Sequence, residues 1–312
     1  MTETEKTLSV LIKDKARDLG FDLCGIAPSQ ILKEHEAIIK SWCSDGMNGD
    51  MSYLCRDTGK RINPDYLFPG VKSVIVTGLN YFNGTRQGGD GIPVISRYAY
   101  GVNYHNVIKF RLDKLLGHIK IISRGVKGKI FVDSAPILEK AWAGKAGLGW
   151  PGKHSILINK EIGSYFFLGI ILTNADVDYD DPYTDDHCGS CRSCIESCPT
   201  GAINENRTLD VRKCIAYLTI ESKTAVPEEL ASKMGGRLFG CDRCQEVCPW
   251  NRNATPNRNS EFEPQDELLQ MTAEDWLTLS QERFKRLFIK SSVASKKYDT
   301  FMKNVAIIIK SG

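Results

Sequence analysis

Apolar and polar positions along the chain fall into two periods. Leu8, Leu11, Ile12 and Ala16 recur at helical spacing within Thr7–Leu19, and Gly20 ends the run. Tyr104–Ile122 carries Val107, Ile108, Leu112, Leu115, Leu116 and Ile119, which predicts a helix facing a core. Lys72–Leu79 reads KSVIVTGL, a buried strand. Lys129–Val132 predicts a short strand ending at Asp133. Ala135–Ala146 predicts a helix after Pro136. Ser155–Asn159 and Ser164–Thr173 predict further strands. These elements make a mixed α/β domain over residues 1–175. Pro264 to Phe288 predicts helix, with Trp276, Leu277 and Leu279 apolar. The longest apolar runs, Tyr165–Leu172 and Val305–Ile309, fall well short of the roughly 20 residues a membrane span needs, so no membrane partner is expected.

Composition adds one unusual number. The chain has 312 residues, 42% hydrophobic and 25% charged, as expected of a globular protein with a sizeable core. MTETEKTLSVL lacks a basic stretch followed by an apolar one, so no secretory signal is expected and a cytoplasmic site is. The net charge of +3 selects no partner by itself, and nothing demands more than a monomer. The 11 cysteines are an odd count, which excludes complete internal disulfide pairing.

The cysteines are uneven. Cys24, Cys43 and Cys55 stand alone and read as buried small apolar residues. The other eight lie between 188 and 248. Cys188, Cys191, Cys194 and Cys198, followed by Pro199, have the spacing of a bacterial-ferredoxin cluster loop. In that loop three thiolates hold one cube and the fourth crosses to the other. Cys241, Cys244 and Cys248, followed by Pro249, repeat the motif without its first ligand, which Cys214 can supply. The ligand sets are then Cys188, Cys191, Cys194 and Cys248 for one [4Fe–4S] cluster, and Cys198, Cys214, Cys241 and Cys244 for the other. Paired zinc knuckles are the competing reading, but they require neither the crossed cysteine nor the Cys-Pro repeats. This places a two-cluster module at 176–256 and a helical basic segment at 257–312, an α+β chain overall.

Charge marks two stretches. Ala175–His187 holds six aspartates and no Lys or Arg, and reads as a solvated linker. Gln281–Gly312 holds eight basic residues against Glu282 and Asp299, a net of +6 that suits either a solvated face or a phosphate backbone. Gly147 to Gly152 matches a dinucleotide glycine string, and Gly147–Lys153 nearly matches a phosphate-binding loop. The context rejects both, because the string follows a helix, contains Pro151 and precedes a strand. A glycine turn approached closely by another group fits better.

Several blocks carry a family likeness: Tyr66–Val74, Ile95–Gly101, Tyr104-His105, Asp133–Glu139 (DSAPILE), Ala146–Lys153 (AGLGWPGK), Cys214–Glu221 and Cys241–Pro249. Across residues 7 to 310 the chain resembles the epoxyqueuosine reductases, cobalamin-dependent enzymes of tRNA modification. The resemblance implies a base-off cobalamin between the α/β domain and the cluster module. It implies reduction of the epoxide of epoxyqueuosine to queuosine at the tRNA wobble position, with two electrons and two protons consumed and water released. The cobalamin string D-x-H-x-x-G is absent, since Ser190 stands at the glycine position after Asp185-x-His187.

By this resemblance Asp133 is the acid that protonates the departing oxygen, a role that calls for a raised pKa. Without it, Asp133 reads as a helix N-cap. Arg56, Arg97, Tyr104, His105, Lys153, Ser155, Ala216 and Tyr217 are the implied cobalamin and substrate contacts. Ala216 stands where the family often has serine. Lys223, Arg283, Lys285, Arg286, Lys296 and Lys297 are the tRNA candidates. Longer members carry an additional C-terminal helical-repeat domain, so this chain is expected to grip tRNA differently. Electrons are expected from an external low-potential donor. The competing readings are a corrinoid reductive dehalogenase, which usually carries an export signal, and a ferredoxin-type electron carrier, which would bind no cobalamin.

Overall fold

The computed structural model describes residues 7–89 and 92–311. Two eight-residue strands, Ser73–Asn80 and Phe166–Thr173, form the middle of a four-stranded sheet. They run antiparallel, with Ser73 opposite Thr173 and Asn80 opposite Phe166. Leu23–Pro28 and Gly128–Phe131 pair antiparallel along the outer edges. The mixed domain expected from the sequence is therefore built on a wholly antiparallel sheet.

Every residue of Ser73–Asn80 is buried, which explains the absence of polar alternation in that run. Successive side chains point to opposite faces, and both faces are covered. Ile75, Leu79, Phe167 and Ile171 pack under the helices Leu8–Asp18 and Tyr104–Ile122. Val74, Val76, Ile170 and Leu172 pack against Trp142 and Ala143 of the helix Glu139–Lys145. Trp142 is fully buried. A large aromatic there contributes several kcal/mol of burial, roughly 3–5 by the usual truncation cost.

The cluster module is compact. Ser193–Glu196 carries Cys194, and Arg243–Glu246 carries Cys244. Cys214 precedes the helix Ile215–Ile220. The C-terminal segment does not stand apart. Trp276, Leu279, Phe284, Leu287, Phe288, Phe301, Val305 and Ile308 share one core with Ile95, Ala99, Tyr100, Ile215, Leu238 and Phe239. Val94–Ile95 also pairs in parallel with Arg237–Phe239. One core thus draws on all three stretches of sequence.

Five expectations need correction. Helix occupies only Glu139–Lys145 of the stretch 135–146. Asp133 adopts the left-handed conformation and Pro136 lacks an N–H, so 133–138 is an irregular loop. Strand in 155–159 shrinks to Leu157–Ile158, because Ser155 also has positive φ. The stretch 264–288 divides into three helices, Asp266–Leu269, Ala273–Leu277 and Gln281–Phe288. The acidic linker is partly pinned: Asp180 pairs with Lys13 and accepts the Ile26 N–H at 2.8 Å, and Asp178 accepts from Ser9. Cys43 and Cys55 are half-buried and joined by a disulfide, whereas Cys24 is free, its thiol pushed up to about 12 by burial. No helix among the described residues is long and apolar enough to cross a membrane.

Candidate active site and cluster ligands

Asp133 stands at the end of the edge strand Gly128–Phe131, with φ of +56°. Its carboxylate Oδ2 accepts the Tyr104 hydroxyl at 2.6 Å and lies 3.3 Å from His105 Nε2. Both partners come from the first turn of the long helix Tyr104–Ile122. That helix starts here because the Asn103 side chain accepts the His105 N–H, an N-cap bond. Tyr104 is fixed from behind by parallel stacking on Phe167, 4.2 Å between ring centres. Asp133 is not an N-cap. Its backbone N–H donates to Glu139 Oε1 at 2.6 Å.

The pKa pattern reverses what the sequence suggested. Asp133 is held below the usual carboxylate range, first by the His105 hydrogen bond, against desolvation that pushes it up. The raised carboxyl is Glu139, pushed up to about 7 by burial and by the Asp133 charge. Burial also lowers Lys140, which donates to the Ser155 carbonyl at 2.6 Å.

Asp133 is 61% exposed at its side chain, yet the protein around it desolvates it. Both observations describe a concave, open site. Tyr53 and Tyr98 both feel the charges of Asp133 and Glu221, so they border it. Lys296 reaches the charge of Glu221. Glu221, which follows the helix Ile215–Ile220, is thus near enough for its charge to bear on the same tyrosines as Asp133, and that helix begins just after Cys214.

The eight module cysteines are free thiols. Cys188, Cys191, Cys194 and Cys248 line one cavity of about 260 Å³, together with Ile158, Lys153 and Trp250. The charges of Cys188 and Cys191 bear on both Cys194 and Cys248. The remaining four are linked likewise: Cys198 acts on Cys214, and Cys214 acts on Cys241 and Cys244. These influences run mainly within the two sets that the crossed spacing predicts, and the Cys194 charge also bears on Cys244. Soft thiolates in two sets of four fit two iron–sulfur cubes. Burial pushes the Cys214 thiol up, against the backbone N–H groups of Ala216 and Tyr217, which favour its thiolate.

The other expected residues are dispersed. Lys153 Nζ donates to the carbonyls of Gly189 and Cys191, at 2.7 and 2.9 Å, and so pins the first cysteine loop. Ser155 Oγ donates to the Arg207 carbonyl at 2.5 Å. Arg97 is tied to the carbonyls of Asn83 and Thr85, and its N–H donates to Asp242. Tyr217 donates its hydroxyl to Asp50, whose carboxylate also accepts the Lys223 N–H. Arg56 is exposed beside Cys55. In the tail, Arg283 is paired with Glu267 and Asp275, and Arg286 with Glu267, so these two are partly neutralised. Lys285 and Lys297 are exposed, and Lys296 is half-buried.

The glycine string runs into a hairpin. Trp150–Pro151 pairs with Leu157–Ile158, and a Cβ at Gly149 would collide with the Ile158 carbonyl. The close neighbour is thus the chain itself. Sequence reasoning gave no role to Glu139, Lys140, Asp50 or Asp242. Glu139 closes the DSAPILE block, which was the one available signal. Asp242 is buried and accepts Ser96 Oγ and the Arg97 N–H, joining the module to the sheet domain.

Comparison with known proteins now adds identity. Residues 61–134 match the family described as epoxyqueuosine reductase QueG, DUF1730. Residues 187–251 match the 4Fe-4S double cluster binding domain. The chain is 44% identical over 302 residues to an epoxyqueuosine reductase of Cellulophaga algicola, covering 97% of this chain and 98% of the relative. It is 38% identical over 308 residues to the Escherichia coli enzyme, covering 97% of this chain and 80% of that one. A crystal structure of epoxyqueuosine reductase with an epoxyqueuosine-modified tRNA-Tyr stem loop superposes with a TM-score of 0.88 at 28% identity, covering 97% of this chain and 80% of that one. The thiol sets, the concave site beside them and these matches lead to one assignment: the chain belongs to the epoxyqueuosine reductase family and is an oxidoreductase of that family.

Proposed function

We propose that this protein reduces epoxyqueuosine to queuosine at the wobble position of tRNA, with Asp133 as the residue facing the epoxide oxygen. The observation that carries this is the Tyr104–His105–Asp133 cluster in an open concavity next to the cluster module. Cys188, Cys191, Cys194 and Cys248 hold one cluster, and Cys198, Cys214, Cys241 and Cys244 the other. Cobalamin would be held between Asp133 and the helix Ile215–Ile220, where the hydroxyl, ammonium and carboxylate groups of Tyr53, Tyr98, Lys140 and Glu221 suit its amide-rich rim. Bound there and reduced through the two clusters, cobalamin would supply the electron pair for the reduction.

The chain's own residues supply position and protons. Tyr104 and His105 hold the Asp133 carboxylate in place and donate hydrogen bonds to it. A carboxylate held below its usual range does not keep a proton at neutrality unaided. The proton for the departing oxygen therefore passes through Asp133 Oδ2 from the His105 side, 3.3 Å away, while the Tyr104 hydroxyl, pushed far up by burial and the Asp133 charge, keeps its proton and holds the carboxylate. The wobble nucleoside reaches this site only by leaving its stack. Of the tail residues expected to meet tRNA, Lys285 and Lys297 are exposed and unpaired among the described residues and suit its backbone, and Lys223 adds a cation beside Asp50. We assign the protein to the cytoplasm, as a monomer served by an external low-potential donor.

The test is direct. Protein reconstituted with iron, sulfide and cobalamin is given reductant and an epoxyqueuosine-bearing anticodon stem loop. Nucleoside mass spectrometry should find queuosine. Intact epoxyqueuosine alongside dehalogenation of a bromophenol would favour the dehalogenase reading instead.

A further inference from the structure

We propose that Glu139 is a positioning residue, the latch that holds the Asp133 loop in its reactive place through the hydrogen bond from the Asp133 backbone. This rests on the functional reading above.

Ile137 is buried in the core with Ala135 and Leu138 packed beside it, which anchors the far half of the loop but not the exposed Asp133 and Ser134. The loop's internal bonds, Ser134 N–H to Val132 carbonyl and Ile137 N–H to Ala135 carbonyl, span two residues each and fix only local curvature. Pro136 donates nothing. Asp133 adopts a left-handed conformation, which aspartate tolerates better than most residues but which still costs free energy that its surroundings offset. The bonds from Tyr104 and His105 reach the carboxylate, the group that must exchange partners when it engages the substrate oxygen. The bond from the Asp133 N–H to Glu139 Oε1 is independent of that exchange.

Glu139 is suited to anchor it. It is the first residue of the helix Glu139–Lys145, which is rooted by the fully buried Trp142. Burial and the Asp133 charge both oppose its ionisation, while the Asp133 N–H, Lys140 and His105 favour it. A carboxyl group kept against desolvation and a like charge is explained by what it holds.

The experiment uses the reconstituted holoenzyme with Glu139→Ala and Glu139→Gln, the second keeping an acceptor oxygen. In Glu139→Ala, amide hydrogen exchange across 133–138 should quicken and kcat should fall by about ten- to a hundred-fold, the usual range for losing a hydrogen bond to a charged group. KM for the stem loop and cobalamin affinity should stay within about twofold, because neither ligand is bound by Glu139. Glu139→Gln should restore kcat to within about threefold of the parent. Parent-like exchange and turnover in Glu139→Ala would overturn the latch, as would a Glu139→Gln variant as impaired as Glu139→Ala. A parent that makes no queuosine would instead overturn the functional reading, and the exchange measurement decides the latch separately.

Discussion

The two carboxyl groups of the active-site loop differ by environment alone. Asp133 has hydrogen-bond donors and is held low, while Glu139 is enclosed beside a like charge and is raised to about 7. This has a consequence for stability. Between the ordinary glutamate value of 4.5 and about 7, the folded chain keeps a proton that the unfolded chain has released. The group's contribution is therefore fully present below 4.5 and is lost as pH rises to about 7. Glu139→Gln removes that loss. Its melting temperature, measured against the parent, should improve steadily from pH 5 to about pH 8. A difference that stays constant over this range would contradict the assignment.

At the scale of elements, the hairpin of Trp150–Pro151 and Leu157–Ile158 serves the cluster module rather than a nucleotide. It presents Lys153 to the carbonyls of Gly189 and Cys191. An ammonium there favours the extra electron of the adjacent reduced cluster and steadies its loop. Lys153→Met should lower the reduction potential of one cluster and leave the other unchanged, as read by redox titration with electron paramagnetic resonance. Two unchanged potentials would contradict this placement. The elements also show what the sequence could reveal. Strong periodicity made Tyr104–Ile122 and Ser73–Asn80 legible, because one long face or a wholly buried strand dictates the pattern. Cysteine spacing made the double-cluster module legible, because closely spaced thiols and the Cys-Pro repeats mark a cluster loop. The loop at 133–138 was not legible, since an Ala-rich, helix-favouring composition was overridden by a left-handed aspartate and a proline. The partners of Asp133 lie 28 and 29 residues away, and only the family resemblance joined them beforehand. The pairing of Cys43 with Cys55 had no signal in a chain that looked like a cytoplasmic, metal-binding protein.

At the scale of the whole molecule, electron path and substrate site are held together by shared structure. The sheet domain grips the module through Lys153, Ser155, Asp242 and Asp50, and the C-terminal helices share a core with residues 95–100. The basic tail is thus packed structure first, and its free cations are fewer than its composition suggests, because Arg283 and Arg286 are paired. A rigid frame of this kind suits transfer between centres whose spacing must not vary. The measurement that reaches the central claim most directly is a single turnover. Prereduced holoenzyme is mixed with excess epoxyqueuosine stem loop, and queuosine is counted per enzyme, for the parent and for Asp133→Asn. The parent should form queuosine, while Asp133→Asn should retain both clusters and cobalamin and form none. A fully loaded parent that leaves epoxyqueuosine intact, or an Asp133→Asn variant that keeps pace with the parent, would contradict the account.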